Sequence, residues 1–377
     1  MKKVRLSNFE LLRIISTFFI VLWHVILCGE GLENISSSTK LFFDTILALI
    51  VVHVNSYILL TGYFGCKRDG SNKKSFINAL SISWFYRIVI VVTMLCIGAV
   101  SLSKLEILQD TFIFPLNHEH WFIHHYLLLC LISPFLNKLV KNISQSDYKK
   151  LIMILIIINS IIPYATNQLF FSVYKGFSLY HFVLLYLIGG YLGMYPIKES
   201  YHFRKMSNSR YRSILITSFL SIAFINLLIV YFGNFVMSIS TKGTILYEFG
   251  SILQSIENTY DFILTILQSV IYVLIFSTIN FKSNIINKIA KLTLGIYVIH
   301  ESELLKPYIY EFFKFDSLNN SGILIIGQVF LVTIIIFIVC GIIDMLRIII
   351  FKGLRKFYCF LKTLKNSNLH NKSKMIQ

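Results

Sequence analysis

The chain has 377 residues, of which 56% are hydrophobic and only 14% charged, with a mean hydropathy of +0.70 and a formal net charge of +17. Too few polar side chains are present to cover a water-facing surface of that size, so a soluble fold is excluded and an all-α, polytopic integral membrane protein is expected. The positive charge suits anionic lipid at the cytoplasmic face and gives no reason to expect a nucleic-acid partner.

Apolar runs long enough to cross a hydrocarbon core of about 30 Å begin near Phe9, Leu41, Phe76, Trp121, Lys150, Phe177, Ser213, Asp261, Ile289 and Gly322. They predict ten transmembrane helices, the ninth of them short and ending in His300, Glu301 and Glu303. Charge tests this count, because Lys and Arg accumulate in short cytoplasmic loops. With both termini cytoplasmic, 26 of the 35 basic residues fall in residues 1–8, 65–75, 137–150, 196–212, 280–291 and the tail after 350. The opposite loops hold six: Lys40, Lys104, Lys175, Lys242, Lys306 and Lys314. Miscounting one helix scrambles this alternation.

Lys2, Lys3 and Arg5 precede the first apolar run, as in a secretory signal, but the run is too long, carries Glu10 and Arg13, and has no small-residue cleavage site. It is expected to remain as a membrane helix. The six cysteines form no Cys-x-x-Cys pair and are spread over both sides and the interior, so structural disulfides are not expected. The predicted organisation is one integral domain, residues 1–350, followed by a basic cytoplasmic tail, residues 351–377.

Glu10, Arg13 and His24 all lie inside the first run, where an ionisable side chain is expensive and marks a candidate site. Eleven residues at about 100° each bring His24 to within roughly 20° of Arg13, with Glu10 one turn away on the same stripe. At 1.5 Å per residue from Phe9, Arg13 is about 6 Å deep and His24 about 22 Å deep, towards the far leaflet. Snorkelling explains Arg13 alone, with Glu10 as its partner. It does not explain His24, which is followed by apolar Val25, Ile26 and Leu27.

His118, Glu119, His120, His124 and His125 cluster before and within the fourth run. His120 and His124 are spaced to share a metal, but Phe122 occupies the place of the second histidine of an HExxH motif, so polar lining of the outer mouth is expected and no metal. His53 and Asp44 suit interhelical hydrogen bonds. Arg87, in the middle of the third run, suits either a donor-binding cation or a partner for Asp44 or Asp344.

Several segments share an order with a known family. Phe9-Glu10-Leu11-Leu12-Arg13, with His24 after ten further residues, resembles the Arg-x10-His opening of the membrane acyltransferase-3 family, O-acyltransferases of bacterial envelope and extracellular polysaccharides. Leu59-Leu60-Thr61-Gly62-Tyr63-Phe64 is similar to its Ser-Gly-Tyr-Phe element, with Thr for Ser. Trp121-Phe122-Ile123 with Tyr126, and Ser133-Pro134-Phe135-Leu136-Asn137, resemble its fourth helix. Leu184 to Tyr191 resembles its glycine-bearing sixth helix, and Leu294-Gly295-Ile296-Tyr297-Val298-Ile299-His300 its late Leu-Gly-Ile-Tyr-x-x-His element. Where the family often has an Arg-x-x-Arg pair, this chain has Arg87 with Lys67, Arg68, Lys73 and Lys74 before it.

The resemblance implies acetyl transfer from cytosolic acetyl-CoA to a hydroxyl of a capsule or exopolysaccharide, in the bacterial cell membrane. His24 is then the expected base, Arg13 and Glu10 complete the catalytic group, and Arg13, Arg87, Lys67 and Arg68 bind the donor. His300, His120, Trp121 and Tyr126 are the expected acceptor contacts. The acceptor is a polysaccharide or lipid-linked saccharide, in contact with membrane lipid. The fused SGNH esterase-like domain of many relatives does not follow the membrane helices in this sequence, so delivery falls to this domain or to a partner acetyl-carrier protein. Two other readings stay open: a flippase or exporter of lipid-linked sugar or polymer, and a succinyl rather than acetyl donor. No related halves, as many transporters have, are found between residues 1–190 and 191–377.

Overall fold

The computed structural model describes residues 5–68, 72–99, 120–166, 175–200, 203–256, 259–316 and 321–374, with side chains described to residue 356 except at 165–166. His118 and Glu119, predicted near the outer mouth, lie outside the described residues. Every regular element among the described residues is helical.

In chain order the α-helices are α1 (Ser7–Cys28), α2 (Ser37–Ile50), α3 (His53–Gly65), α4 (Lys73–Cys96), α5 (Trp121–Lys141), α6 (Gln145–Ile156), α7 (Ile162–Thr166), α8 (Leu179–Met194), α9 (Asn208–Ser238), α10 (Ile245–Ser255), α11 (Ile263–Ser277), α12 (Asn284–Ile289), α13 (Thr293–His300), α14 (Lys306–Phe312) and α15 (Gly322–Lys374). A π-turn, Ile157–Ile161, joins α6 to α7. Ser36, Ser144, Ser178, Ser207 and Ser283 each cap a helix by accepting a backbone N–H through the side chain.

Each predicted apolar run coincides with a helix, but the helices differ in reach. Among the described residues six helical stretches are long and apolar enough to cross a membrane: Ser7–Cys28, Ser37–Gly65 (α2 running on into α3), Lys73–Cys96, Trp121–Lys141, Asn208–Ser238 and Gly322–Lys356. The runs from Phe177 and Asp261 give shorter apolar helices, Leu179–Met194 and Ile263–Ser277. The run from Ile289 yields only the eight residues of α13 before the chain turns. Helix α10, in a segment expected to be loop, packs along α9, where Gly233 and Gly250 let the backbones approach. The last helix continues past residue 351 without a break.

Helix α1 lies at the middle of the bundle, against α2, α3, α11, α12, α13 and α15. Helices α3 and α8 make the closest pair, and glycines explain it. A Cβ at Gly62 would lie 2.0 Å from the carbonyl oxygen of Tyr186, and one at Gly189 2.0 Å from that of Leu59. Small residues that let backbones touch are the usual means of joining helices where lipid offers no hydrophobic driving force. Polar ties lock the same region: Tyr148 Oη donates to Leu187 O at 2.7 Å, and Tyr186 Oη to Asn137 Oδ1 at 2.8 Å.

Loops assigned to one side by charge meet one another. Ser7 Oγ donates to Asn287 Oδ1 at 3.1 Å, and Lys141 Nζ to Arg68 O at 3.2 Å. At the other end Lys314 pairs with Glu30 at 2.8 Å, and Tyr260 N donates to Lys175 O at 3.0 Å.

Candidate active site

A cavity of about 1190 Å³ runs beside α1, lined by Glu10, Arg13, Thr17, Ile20 and His24. This is the stripe that helical spacing defines, now facing open space. From Glu10 to His24 it extends about 21 Å along the helix axis, at 1.5 Å per residue.

At one end of the cavity His24 is held on both ring nitrogens. Nε2 lies 2.9 Å from Glu301 Oε2, and Nδ1 lies 3.1 Å from His300 Nε2. The hydrogens follow from the partners. His300 Nδ1 faces the carbonyl oxygen of Ile296 at 2.7 Å and must carry the proton there, leaving its Nε2 lone pair to accept from His24 Nδ1–H. Glu301 as a carboxylate accepts only, so His24 Nε2 donates as well. In this arrangement His24 gives a proton to each neighbour and carries a positive charge opposite Glu301. The other Glu301 oxygen, Oε1, pairs with Lys306. Burial opposes the charge on Lys306, but Glu301 outweighs it and raises the ammonium above its ordinary range.

An aromatic wall faces His24. Trp121 stacks on Tyr260 at 5.9 Å with ring planes 26° apart, and Phe122 stacks on Tyr126 at 6.0 Å. His53 Nδ1 donates to Ile50 O at 2.6 Å, so its Nε2 accepts the Tyr260 hydroxyl at 3.2 Å. Behind this wall Asn55 Nδ2 donates to Tyr260 O at 2.8 Å, and His181 Nε2 donates to Asn55 Oδ1 at 3.0 Å. Asn159, from the π-turn, donates to His181 Nδ1 at 3.2 Å. A π-turn re-aims one side chain within an otherwise helical run, here into this network.

The other end differs in kind. Arg5, Arg13, Arg68, Lys74, Lys291, Arg347, Lys352 and Arg355 line it, with Glu10 as the one carboxylate among the described lining residues. Glu10 bridges Arg13 at 2.7 Å and Arg5 at 3.3 Å. The carbonyl of Arg13 accepts from Tyr57 Oη at 2.7 Å and Thr17 Oγ1 at 2.9 Å, which fixes α1 against α3.

A family model described as an acyltransferase domain (Acyl_transf_3) matches residues 6–345. The chain belongs to the acyltransferase-3 family. No curated protein and no solved structure matches it. The protein is thus a membrane acyltransferase, and its motifs have physical roles. In this acyltransferase the Arg-x10-His spacing puts both groups on one cavity, Thr61 and Tyr57 of α3 line it, and Gly62 and Gly189 join α3 to α8.

Of the residues expected from the sequence to do chemistry, Glu10, Arg13, His24, Arg68, Trp121 and Tyr126 line the cavity. Four do not. Lys67 is exposed, and Arg87 is buried on α4 away from the lining. Asp344, offered as a partner for Arg87, is engaged by Tyr86 and Arg347, while Asp44 pairs with Lys40 and accepts from Tyr231. His300 backs His24 from within the protein, and His120 is buried with Nε2 donating to Val298 O at 3.2 Å. Among the described residues no group of three or more His, Cys, Asp or Glu is spaced to hold a metal.

Sequence reasoning left out Glu301, Tyr57, Tyr260, and the cations Arg5, Lys291, Arg347, Lys352 and Arg355; His53, expected to make an interhelical hydrogen bond, does so with Tyr260, and Lys74 of the basic stretch before Arg87 lines the cavity. Glu301 carried one signal, its position beside the motif residue His300.

Proposed function

We propose that this acyltransferase moves an acetyl group from cytosolic acetyl-CoA to a hydroxyl of a surface or exported polysaccharide, or of its lipid-linked unit, in the bacterial cell membrane. The observation that supports it is one cavity with an excess of cations at one end and a histidine–carboxylate pair beside an aromatic wall at the other. The basic end suits the phosphates of a coenzyme, whereas stacked rings suit the apolar face of a sugar. The positive-inside bias supports ten spans with cytoplasmic termini, which turns the basic end to the cytosol. Phosphorylated coenzyme then enters where it is made, and the acceptor is met towards the outer leaflet.

The chemistry follows the logic of a carboxylate-oriented imidazole. Glu301 keeps its hold on His24 Nε2–H. His24 first releases its Nδ1 proton to water in the cavity, and the acceptor hydroxyl then meets the freed Nδ1 lone pair in place of the His300 contact. As the hydroxyl oxygen attacks the thioester carbonyl, its proton passes to Nδ1. The new C–O bond forms, the C–S bond breaks, and the proton is returned to the leaving thiolate. Arg13 and Glu10 orient the donor about 16 Å below His24, by helical rise. A partner acetyl carrier is not needed by this scheme.

Inside-out vesicles supplied with labelled acetyl-CoA test the reading. Label is expected in the glycan fraction, and His24→Ala is expected to lower its incorporation at least 100-fold, the usual scale for loss of a general base. Movement of glycan without consumption of label identifies a carrier instead, and label transfer from succinyl-CoA alone identifies a succinyltransferase. Unchanged incorporation in His24→Ala removes the catalytic assignment.

A further inference from the structure

Helix α15 brings three cations to the cavity where the sequence pointed to others. Arg347, Phe351 and Arg355 are spaced four apart and share one helix face, and Lys352 stands beside them; all four line the cavity. The stripe extends about 12 Å along the helix, at 1.5 Å per residue. Arg68, Lys74 and Lys291 line the same end from other parts of the chain.

Arg347 is not a loose surface cation. Asp344, with no exposed surface, accepts from Arg347 Nε at 2.8 Å and from Tyr86 Oη at 2.8 Å, both at Oδ1. A second bond runs from Arg347 Nη2 to Asp344 Oδ2 at 3.3 Å. A Cβ at Gly295 would lie 2.1 Å from Asp344 Oδ1, so the glycine of the late Leu-Gly-Ile-Tyr element is what lets this carboxylate seat against α13. The buried carboxylate fixes the guanidinium with its plane and remaining N–H donors directed by the Asp344 contact. Lys352 and Arg355 are exposed, and neither has a carboxylate partner among the described residues. Phe351 lies between Arg347 and Arg355 on the same helix face, 48% exposed and packed against Phe85 at 5.3 Å, an aromatic surface within a basic wall.

We infer that Arg347, Lys352 and Arg355, with Phe351, form the binding wall for the nucleotide end of the acyl donor, its phosphate esters on the cations and its base on the ring. This rests on the proposed donor and names the part of the protein that recognises it. Guanidinium and ammonium groups spread over two turns match several phosphates rather than one carboxylate, and a planar base stacks on any exposed aromatic face. The same cations suit an anionic lipid headgroup, so the shared chemistry is a phosphate ester and the source is for experiment to separate.

The test uses the purified full-length protein in nanodiscs of phosphatidylcholine and, separately, of phosphatidylglycerol, titrated calorimetrically with adenosine 3′,5′-bisphosphate. Wild type is expected to bind in both. Lys352→Gln with Arg355→Gln is expected to weaken binding at least tenfold in both, with Phe351→Ala giving a smaller loss. Lys149→Gln, which removes an exposed cation of α6 away from the cavity, is expected to leave it unchanged. Because Arg347→Gln strands a buried carboxylate, Arg347→Lys is the variant to use there, together with a thermal melt. Full binding by the double variant overturns the inference while leaving the donor assignment intact. A loss confined to phosphatidylglycerol discs assigns the wall to lipid and also overturns it. Absence of wild-type binding in either disc, with acetyl-CoA still consumed in vesicles, overturns the inference alone; absence of both overturns the donor assignment too.

Discussion

The two ends of the cavity hold charge in opposite ways. At the His24 end each charge is answered by the protein: His24 by Glu301, Glu301 by Lys306, and His24 again by His300. At the basic end Arg5 and Arg13 share Glu10 and Arg347 takes Asp344, which leaves Arg68, Lys74, Lys291, Lys352 and Arg355 without a carboxylate among the described residues. Charges already paired are fixed in place and suit chemistry that needs orientation; charges in excess suit capture of an anion. Helix α13 serves both, since Gly295 near its start admits Asp344 and His300 at its end meets His24.

The sharpest way to break this comparison is at the paired end. Glu301→Gln keeps shape but removes the charge that orients His24, and is expected to lower kcat about 100-fold with the donor KM unchanged, while Glu301→Asp restores part of the loss. A purely structural role would instead lower the melting temperature and leave Asp no better than Gln. At the unpaired end the pattern reverses. Lys74→Gln with Lys291→Gln is expected to raise the donor KM about tenfold with kcat unchanged, and added salt should raise the wild-type KM more than that of the variant. A fall in kcat of the same size would mean that the two ends do not divide the work. The smallest effect belongs to the wall beside His24. Tyr260→Phe deletes the hydroxyl donated to His53 Nε2 and is expected to raise the acceptor KM about fivefold, the scale of one neutral hydrogen bond, with the donor KM unmoved.

Much of the frame was legible in the residues. The apolar runs located the helices because an apolar stretch in lipid must satisfy its own backbone, and helix is the form that does so locally. The spacing of Glu10, Arg13 and His24 identified the working face of α1 for the same local reason. The cations were legible as a class but not as individuals. Arg87 and Arg347 are both arginines in apolar runs, and one-dimensional spacing does not say which of them turns towards the cavity. Six helices reach the length and apolarity of a membrane span, and α13 has only eight residues, because a hydropathy run does not register a chain that turns at His300.

The sequence by itself determined a helical membrane protein, its family and a polar stripe on its first helix, since each depends on residues close together in the chain. Only the tertiary structure decided that His300 and its neighbour Glu301 close on His24, with His300 276 residues away, and that Tyr86 and Asp344 aim Arg347 across 258. The reason is that periodicity sets which face a helix presents, whereas the face it meets is chosen by close packing between helices. Here that choice is made at Gly62, Gly189 and Gly295, where the absence of a side chain admits the neighbour.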